Sequence, residues 1–404
     1  MDQRIVSFFG LLLMLLIAWC FSENKKNINY RIVVGGVALQ FLLAIFILHS
    51  SIGRQIFEVL TRCVSSIVAM SDEGARFVFG EKFYEHLYAF KVLPTIIFMS
   101  SISYILFYLG VIQKIVSFLS WVMVKAMNIS GTESLVTAAN VFLGQTEAPL
   151  FIKPYLQTMT RSEILTMMTG GMATVAGGIL AAYIGMGIPP HHLLAASVIS
   201  APAAIVLSKI ICPESKSSKI KNEVKIAYQM QEVNIFEAAC SGASSGLNLA
   251  LNVGAMLITF IALISLINHS LDLFTPYLGY KFTLENILGT VFRPIAFCMG
   301  IAWQESAIVG RLLGEKVVMN EFVAYVHLLE LMKEGALSQR AIIVSTYALC
   351  GFANFSSIAI QIGGIGALEP KRKKDFALLG LRALLGATLT GFMTACLAGI
   401  VISS

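Results

Sequence analysis

Long apolar runs, separated by short polar segments, extend along the whole chain. Eight of these runs are long enough to cross the hydrocarbon core of a bilayer as helices, which takes about 20 residues each. Two adjacent prolines, Pro189 and Pro190, separate the fourth run from the fifth. The pattern predicts an all-α integral membrane protein whose transmembrane helices lie at 5–21, 32–49, 93–112, 163–188, 190–211, 244–268, 340–366 and 376–402.

Composition agrees with this interpretation. The chain has 404 residues, of which 57% are hydrophobic and 13% charged, whereas a soluble domain carries about 25% charged residues. The net charge of +6 lies in loop clusters, so it reports membrane topology and does not indicate nucleic-acid binding. The seven cysteines show no metal-ligand spacing, and no cofactor is expected.

The positions of the basic clusters predict the orientation of the chain, because cytoplasmic loops are enriched in Lys and Arg. With eight crossings and both termini outside, all of the clusters face the cytoplasm. We therefore predict a cytoplasmic (inner) membrane protein with periplasmic termini, a periplasmic loop at 50–92, and cytoplasmic segments at 212–232 and 369–375. The clusters are Lys25, Lys26 and Arg31, then Lys209, Lys216, Lys219, Lys221 and Lys225, and finally Lys371, Arg372, Lys373 and Lys374.

Two semi-apolar regions, 113–160 and 271–338, do not fit simple crossings and resemble each other. Each contains a Glu-Ser pair, an apolar arm and a second glutamate; the glutamates are 14 residues apart from 133 to 147 and 16 apart from 305 to 321. A long span with a polar, glycine-containing centre follows each region, "TGGMATVAGG" (169–178) and "CGFANFSS" (350–357). This order predicts an inverted repeat with two re-entrant hairpins of opposite orientation and two broken helices, as in many secondary transporters.

The same pattern predicts the domain organisation. Each repeat unit consists of a crossing, an interfacial helix, a hairpin, a broken crossing and a further crossing. The predicted units are an N-terminal part with two transmembrane helices (1–92), the first repeat unit (93–211), a cytoplasmic linker (212–243) and the second repeat unit (244–404).

Polar residues gather at the hairpin tips and helix breaks. An ionisable residue at membrane depth is a functional candidate by default, although a packing hydrogen bond or a neutral buried acid would also explain a lone glutamate. No Lys or Arg lies at these positions, so an anionic solute would lack a cationic partner. Ionised carboxylates only accept hydrogen bonds, which favours an uncharged, hydroxylated solute moved with a cation. The clusters are Gln145-Thr146-Glu147, Asn320-Glu321, Thr174 and Asn354-Phe355-Ser356-Ser357.

At these residues the sequence resembles the concentrative nucleoside transporters in their bacterial eight-span form. The matching strings are "GQTEAP" (144–149), "NEFVAY" (320–325), "YALCGFAN" (347–354) and "RALLGATLTGFMTACLAGI" (382–400). The likeness covers essentially the whole chain. It implies symport of nucleosides into the cell by alternating access. It also implies a homotrimer in the lipid bilayer, in which each protomer has its own site and an elevator-like transport domain.

The resemblance also implies site residues. Contacts to the nucleobase would come from Gln145, Thr146, Glu147 and Ile179, with Phe352 lying against the base. Contacts to the ribose hydroxyls would come from Glu321, Asn354 and Ser357. The family's sodium site maps onto Asn140, Leu143, Thr174 and Val175, largely through backbone carbonyls. Proton coupling in place of sodium coupling stays open at this point.

Two other classes are open from the residues alone. A membrane-embedded enzyme could use Glu147 and Glu321 as an acid–base pair, but no histidine–carboxylate cluster lies at the tips, and His327 is interpreted as structural. A channel would not need two hairpins of opposite entry. The chain is therefore predicted to be a transporter and not an enzyme.

Overall fold

The computed structural model describes residues 2–215, 232–273 and 283–402. Within these ranges all regular secondary structure is helical, in agreement with the all-α prediction. In chain order the α-helices are α1 Gln3–Cys20, α2 Tyr30–Leu48, α3 Ser51–Phe79, α4 Leu93–Tyr108, α5 Val111–Met127, α6 Gly131–Asn140, α7 Arg161–Ala173, α8 Gly177–Met186, α9 Pro190–Ile211, α10 Ile235–Asp272, α11 Leu284–Cys298, α12 Ser306–Val318, α13 Glu321–Lys333, α14 Gln339–Leu349, α15 Phe355–Leu368 and α16 Lys373–Val401.

Seven helical stretches among the described residues are long and apolar enough to cross a membrane, and each coincides with a predicted span. They are Gln3–Cys20, Tyr30–Leu48, Tyr88–Tyr108, Arg161–Met186, Pro190–Ile211, Ile235–Asp272 and Pro370–Val401. The eighth predicted span, 340–366, consists of α14 and α15, which are separated by a non-helical segment at 350–354. The total of eight crossings stays a prediction.

The segment 50–92, interpreted from the sequence as a loop, is mostly helix, so that interpretation was wrong. Helix α3 extends over 29 residues, and Ser50 caps its N-terminus by accepting a hydrogen bond from the backbone of Gly53. Its buried residues recur at helical spacing on one side, while the charged residues and several large apolar residues, among them Met70 and Phe77, lie outside that buried face. Such an amphipathic helix buries one face without being apolar overall, which explains why hydropathy alone missed it.

The predicted linker at 212–243 agrees only in part with the structure. Residues 216–231, with four of its lysines, lie outside the described residues. Helix α10 already begins at Ile235, where Asn234 accepts a hydrogen bond from the backbone of Glu237. The last residues of the predicted linker therefore belong to α10, while the end of the cytoplasmic segment stays a prediction.

The order of elements is the same in the two halves of the chain. The first half runs through α4, α5, the hairpin of α6 with the 3-10 helix Ala148–Tyr155, the interrupted pair α7 and α8, and α9. The second half runs through α10, α11, the hairpin of α12 and α13, the interrupted pair α14 and α15, and α16. This order agrees with the predicted repeat, while the opposite orientation of the halves in a membrane stays a prediction.

The first interrupted pair, α7 and α8, and helix α9 lie in the interior. In Arg161–Met186 and in Pro190–Ile211, 89% of an apolar 18-residue stretch is buried, whereas in Ile235–Asp272 only 11% of such a stretch is buried. The long outer helix α10 packs on α4 through two glycines: a Cβ on Gly242 or Gly246 would lie 2.7 Å from the α-carbon of Ser101 or Ile97, respectively. Small residues allow such close packing in membranes. Helices α4 and α10 therefore pair tightly beside the interior elements.

Candidate functional site

A cavity of about 320 Å³, lined by both polar and apolar side chains, lies where the two hairpin tips meet the two helix breaks. Its volume falls in the range of about 300–1,000 Å³ typical of small-molecule sites. All eight residues predicted to contact substrate line this cavity: Gln145, Thr146, Glu147, Ile179, Glu321, Phe352, Asn354 and Ser357. The structure thus brings these residues together, and their individual roles stay predictions.

The two helix breaks touch each other beside the cavity. Helix α7 ends at Ala173, and Thr174 is extended (φ −119°, ψ 171°). In the other break Gly351 has φ +103°, a conformation that favours glycine. A Cβ at Gly351 would also lie only 2.6 Å from the carbonyl oxygen of Ala173. Glycine at 351 therefore allows both this backbone conformation and the close approach of the breaks.

The second hairpin tip presents the carboxylate of Glu321, which is 5% exposed. Its Oε1 accepts a hydrogen bond from the hydroxyl of Tyr183 (3.0 Å), and its Oε2 accepts one from Nδ2 of Asn354 (3.0 Å). An ionised carboxylate has about four acceptor positions. The two protein donors therefore leave acceptor capacity for further hydroxyl groups.

The orientation of Asn354 is fixed by its position as the N-cap of α15. Its Oδ1 accepts a hydrogen bond from the backbone of Ser357 (2.9 Å) and another from the hydroxyl of Ser356 (2.7 Å). Asn is among the preferred N-cap residues because it satisfies an orphan backbone N–H of the first turn. Since Oδ1 is engaged there, Nδ2 points toward Glu321.

The first hairpin tip is tied to α15. Nε2 of Gln145 donates to the hydroxyl of Ser357 (3.2 Å), and Oε1 of Gln145 accepts from Nε2 of Gln361 (3.1 Å). Gln361 also donates to the carbonyl of Met168 (3.0 Å). Within the tip, Glu147 accepts a hydrogen bond from the backbone of Gly144 (3.1 Å). The amide of Gln145 is therefore held in one orientation on the cavity wall.

The residues predicted for the ion lie on two adjoining segments, the turn after α6 and the first break. The carbonyl of Phe142, next to Leu143, accepts a hydrogen bond from the backbone of Gly177 (3.1 Å), which joins the two segments. The hydroxyl of Thr174 donates to the carbonyl of Gly170 (3.0 Å). Asn140 is 1% exposed, and neither polar atom of its side chain has a hydrogen-bond partner.

Such an orphaned amide is unusual, because buried polar groups are normally hydrogen-bonded. A Cβ on Gly170 would lie 3.6 Å from Nδ2 of Asn140 and 3.3 Å from the hydroxyl of Thr137, which also lacks a partner. Carbonyl, amide and hydroxyl oxygens are the hard ligands that cations such as sodium bind. The donor set at the end of α7 therefore fits a cation.

The sequence analysis did not identify several residues that line the cavity or that hold its side chains in place by hydrogen bonds. Tyr183 and Gln361 lie inside apolar helices and join elements far apart in the chain. Helix α10 adds a polar stripe to the wall: Ser245, Asn248 and Asn252. Their spacing of three and four residues places them on one face of a helix, and this signal was available in the sequence.

These features define a class: a helical membrane protein with a cavity formed by hairpin tips and interrupted helices and lined by several polar side chains, as in secondary transporters. Three family models match the chain: the Na+ dependent nucleoside transporter N-terminus over residues 9–82, nucleoside recognition (Gate) over 89–190, and the Na+ dependent nucleoside transporter C-terminus over 192–399. The chain belongs to the Na+-dependent nucleoside transporter family, which confirms the resemblance seen in its motifs.

Individual relatives agree with this family membership. An uncharacterized transporter of Haemophilus influenzae is 40% identical over 98% of this chain and 97% of its own length. The human solute carrier family 28 member 3 is 43% identical, and this chain spans 60% of its length. The rat sodium/nucleoside cotransporter 1 is 40% identical, with 64% of its length covered. These relatives are transporters, which confirms that the chain is not an enzyme.

Solved structures show the same fold. CNTnw in an inward-facing substrate-bound state aligns with a TM-score of 0.92 and 37% identity, covering 99% of this chain and 98% of that one. A variant of CNTnw in an outward-facing state aligns with a TM-score of 0.94 at the same identity, again over 99% and 98%.

Proposed function

We propose that the protein imports nucleosides by symport with sodium, through alternating access of an elevator-like transport domain. The observation that carries the proposal is that one cavity brings the acceptor-rich carboxylate of Glu321 together with the oriented amide of Gln145. An uncharged solute with hydroxyl groups at one end and a hydrogen-bonding ring edge at the other matches this pair. A ribonucleoside has both features.

The sugar would lie at the second hairpin tip. Glu321 keeps acceptor positions free after binding Tyr183 and Asn354, and ribose hydroxyls are donors for such positions. The base would lie toward Gln145, Thr146 and Glu147, between the apolar side chains of Ile179 and Phe352. An amide can both donate to and accept from a base edge.

Sodium would bind beside the first break, with Asn140, Leu143, Thr174 and Val175 as ligands. The partnerless amide of Asn140 supports a cation at this point, and the family description supports sodium as that cation. The ion would stabilise the carbonyls freed where α7 ends. Proton coupling is the alternative, with Glu147 or Glu321 carrying the proton.

The setting in the cell is part of the same proposal. We expect a homotrimer in the cytoplasmic membrane, with eight crossings, two re-entrant hairpins of opposite orientation, and periplasmic termini. The placement of the Lys/Arg clusters supports this orientation, and the equal order of elements in the two halves supports the inverted repeat.

Uptake into proteoliposomes tests the proposal. Purified protein should accumulate radiolabelled uridine or adenosine when an inward sodium gradient is imposed, and not under a proton gradient alone. Counterflow separates the other classes, since a transporter exchanges labelled for unlabelled nucleoside, whereas an enzyme yields product and a channel needs no counter-solute. Sodium-independent accumulation driven by a proton gradient would refute sodium coupling while leaving nucleoside transport intact.

A further inference from the structure

Helix α5, which lies between α4 and the first hairpin, has two apolar sides. The residues of one side are buried and recur at helical spacing from Ile112 to Met127. The residues of the other side, each at least 38% exposed, form a stripe at helical spacing: Val111, Ile115, Phe118 and Trp121. A contiguous exposed apolar surface marks a contact with a membrane or with another protein.

The side chains around the exposed stripe favour a membrane as its partner. The rings of Phe118 and Trp121 stack with their centroids 6.3 Å apart, and Nζ of Lys125 lies 5.0 Å from the centroid of the Trp121 ring. At the other end of the stripe, Lys114 precedes Phe118 by one helical turn. Aromatic rings flanked by lysines are typical of helices in a membrane surface, where apolar side chains enter the bilayer and ammonium groups reach the headgroups.

A second group of cations lies beside the C-terminus of α5. Gly35 of α2 packs so closely against this end that a Cβ on it would lie 2.8 Å from the carbonyl oxygen of Ala126. Arg31 lies one turn before Gly35 on the same face of α2. Lys25 lies just before α2, with its Nζ 4.1 Å from the centroid of the Trp19 ring. We call these cations and the two lysines of α5 the basic surface: Lys25, Lys26, Arg31, Lys114 and Lys125.

Carboxylates of the described residues do not balance the charge of the basic surface. Within residues 2–215, 232–273 and 283–402, none of its five side chains forms an ion pair. Glu23 is the sole acidic residue of the segments 21–31 and 111–127. Its carboxylate is engaged by Arg161 (2.9 Å) and Arg382 (3.0 Å). The basic surface therefore complements a negatively charged partner.

The corresponding helix of the second half, α11, lacks this excess of positive charge. It carries one acidic and one basic residue, Glu285 and Arg293. Arg293 is engaged within the protein, because it lies 4.0 Å from the centroid of the Trp303 ring and donates to the Trp303 carbonyl (3.1 Å). In the orientation proposed above, α5 lies at the cytoplasmic side and α11 at the periplasmic side. The unpaired cations therefore face the leaflet whose surface potential is negative.

Helix α5 is joined directly to the first hairpin. Only residues 128–130 separate it from α6. The hydroxyls of Ser120 on α5 and Ser134 on α6 share a hydrogen bond (2.8 Å). Helix α6 then leads to Asn140 in the proposed ion site. The depth of α5 in the membrane surface therefore sets the position of the base of the first hairpin.

We propose that the basic surface binds the phosphate headgroups of anionic phospholipids in the cytoplasmic leaflet, while the exposed stripe of α5 enters the bilayer beside them. The bound lipids hold α5, and with it the base of the first hairpin, at one depth. The choice of leaflet rests on the orientation proposed above, whereas binding itself rests on the charges and rings of this surface. Without anionic lipid the hairpin base loses this anchor, so nucleoside uptake should slow.

The chain has three tryptophans, which allow a direct test. Three proteins, each keeping one tryptophan and carrying phenylalanine at the other two positions, are placed in mixed vesicles of phosphatidylcholine and phosphatidylglycerol. One of the two lipids is brominated in its acyl chains, because bromine quenches nearby tryptophan fluorescence. Trp19 and Trp121 should be quenched more strongly by brominated phosphatidylglycerol than by an equal share of brominated phosphatidylcholine. Trp303, beside the engaged Arg293, should show no such preference.

Charge variants use Trp121 as the reporter. Two cations contribute about tenfold or more to the affinity for an anionic surface. Lys114→Gln combined with Lys125→Gln should therefore lose the preference for phosphatidylglycerol, whereas Lys114→Arg combined with Lys125→Arg should keep it. Lys333→Gln removes an exposed lysine of α13 and is the matched control. Uptake of labelled uridine by the unmodified chain should be slower in pure phosphatidylcholine than in the mixture, and the double glutamine variant should be equally slow in both.

Equal quenching of Trp121 by the two lipids would overturn the proposal, and so would a preference that survives in the double glutamine variant. Quenching by neither lipid would also overturn it, because a protein surface would then cover the stripe. An uptake rate that does not depend on phosphatidylglycerol would refute the link to the first hairpin. The quenching is measured without nucleoside or sodium, so its outcome is independent of the transport proposed above.

Discussion

Replacing Glu321 with glutamine tests which part of the nucleoside this carboxylate contacts. In the structure Oε1 accepts from Tyr183 and Oε2 accepts from Asn354. The Nδ2 group of Asn354 can only donate, so the glutamine oxygen must face Asn354. The new amide nitrogen must then face Tyr183, whose hydroxyl can turn to accept a hydrogen bond. The protein contacts therefore survive Glu321→Gln.

The substitution would weaken the hydrogen bonds to the ribose more than the hydrogen bonds within the protein. A carboxylate with about four acceptor positions has about two left for hydroxyls, whereas the glutamine oxygen has about one, and it carries no charge. Charge-assisted hydrogen bonds contribute about 1.5–3 kcal/mol each. Affinity for a ribonucleoside should fall by about tenfold to about a hundredfold. A 2′,3′-dideoxynucleoside lacks both hydroxyls and should lose much less.

The assay is binding of both nucleosides to purified protein, for the unmodified chain and Glu321→Gln. Two control variants separate the effect of where the residue lies in the cavity from the effect of its charge. Glu147→Gln, on the base side of the cavity, should weaken the binding of both nucleosides alike. Tyr183→Phe removes only one donor to Glu321 and keeps its charge, so its effect should be smaller than that of Glu321→Gln. Melting temperatures without nucleoside would show whether the variants remain folded.

Equal losses for the ribonucleoside and the dideoxynucleoside in Glu321→Gln would refute the assignment of Glu321 to the sugar. So would a loss confined to Glu147→Gln, because the sugar hydroxyls would then be bound elsewhere. Either result would leave the cavity as the candidate site but place the sugar hydroxyls away from Glu321.

Three further predictions address the ion, the support of the site and the topology. Thr174→Ala should raise the sodium concentration for half-maximal uptake by about tenfold, since losing one ligand of a weak cation site costs about 1–2 kcal/mol; an unchanged sodium dependence would exclude Thr174. Gln361→Leu leaves the carbonyl of Met168 and Oε1 of Gln145 unpaired, so the melting temperature should fall, because each buried unsatisfied group costs about 1–3 kcal/mol; calorimetry measures this, and an unchanged melting temperature would contradict it. Ser217→Cys, outside the described residues and made the single cysteine of the chain, should resist labelling by impermeant reagents in intact cells, and ready labelling would overturn the orientation.

Much of the fold could be predicted because the bilayer constrains it. A spanning helix must be apolar over about 20 residues, so seven helical stretches coincide with predicted spans. The helix breaks were visible because glycine and asparagine interrupt otherwise apolar runs. Helix α3 was missed because its burial is one-sided and charged residues interrupt its apolar ones, so that it contains no long apolar run.

The candidate site was predictable where polar residues stand out against apolar neighbours, as at Gln145 and Glu321. Tyr183 and Gln361 were not, because an aromatic residue or a lone amide inside a span has no distinguishing spacing. Their importance comes from partners far away in the chain, 138 residues for Tyr183 and 216 for Gln361. Such pairings depend on how the helices pack, which hydropathy and spacing do not encode.

The hydrogen bonds at the tips also bear on how the site would move. The first hairpin is tied to α15 of the second half through Gln145 and Gln361. The second hairpin is tied to α8 of the first half through Glu321 and Tyr183. Because the ties cross between the halves, moving either hairpin alone would break a buried hydrogen bond, at a cost of about 1–3 kcal/mol for each group left unpaired. Hairpins and broken helices are therefore expected to move as one unit, past the polar stripe of α10, which is what an elevator-like transport domain requires.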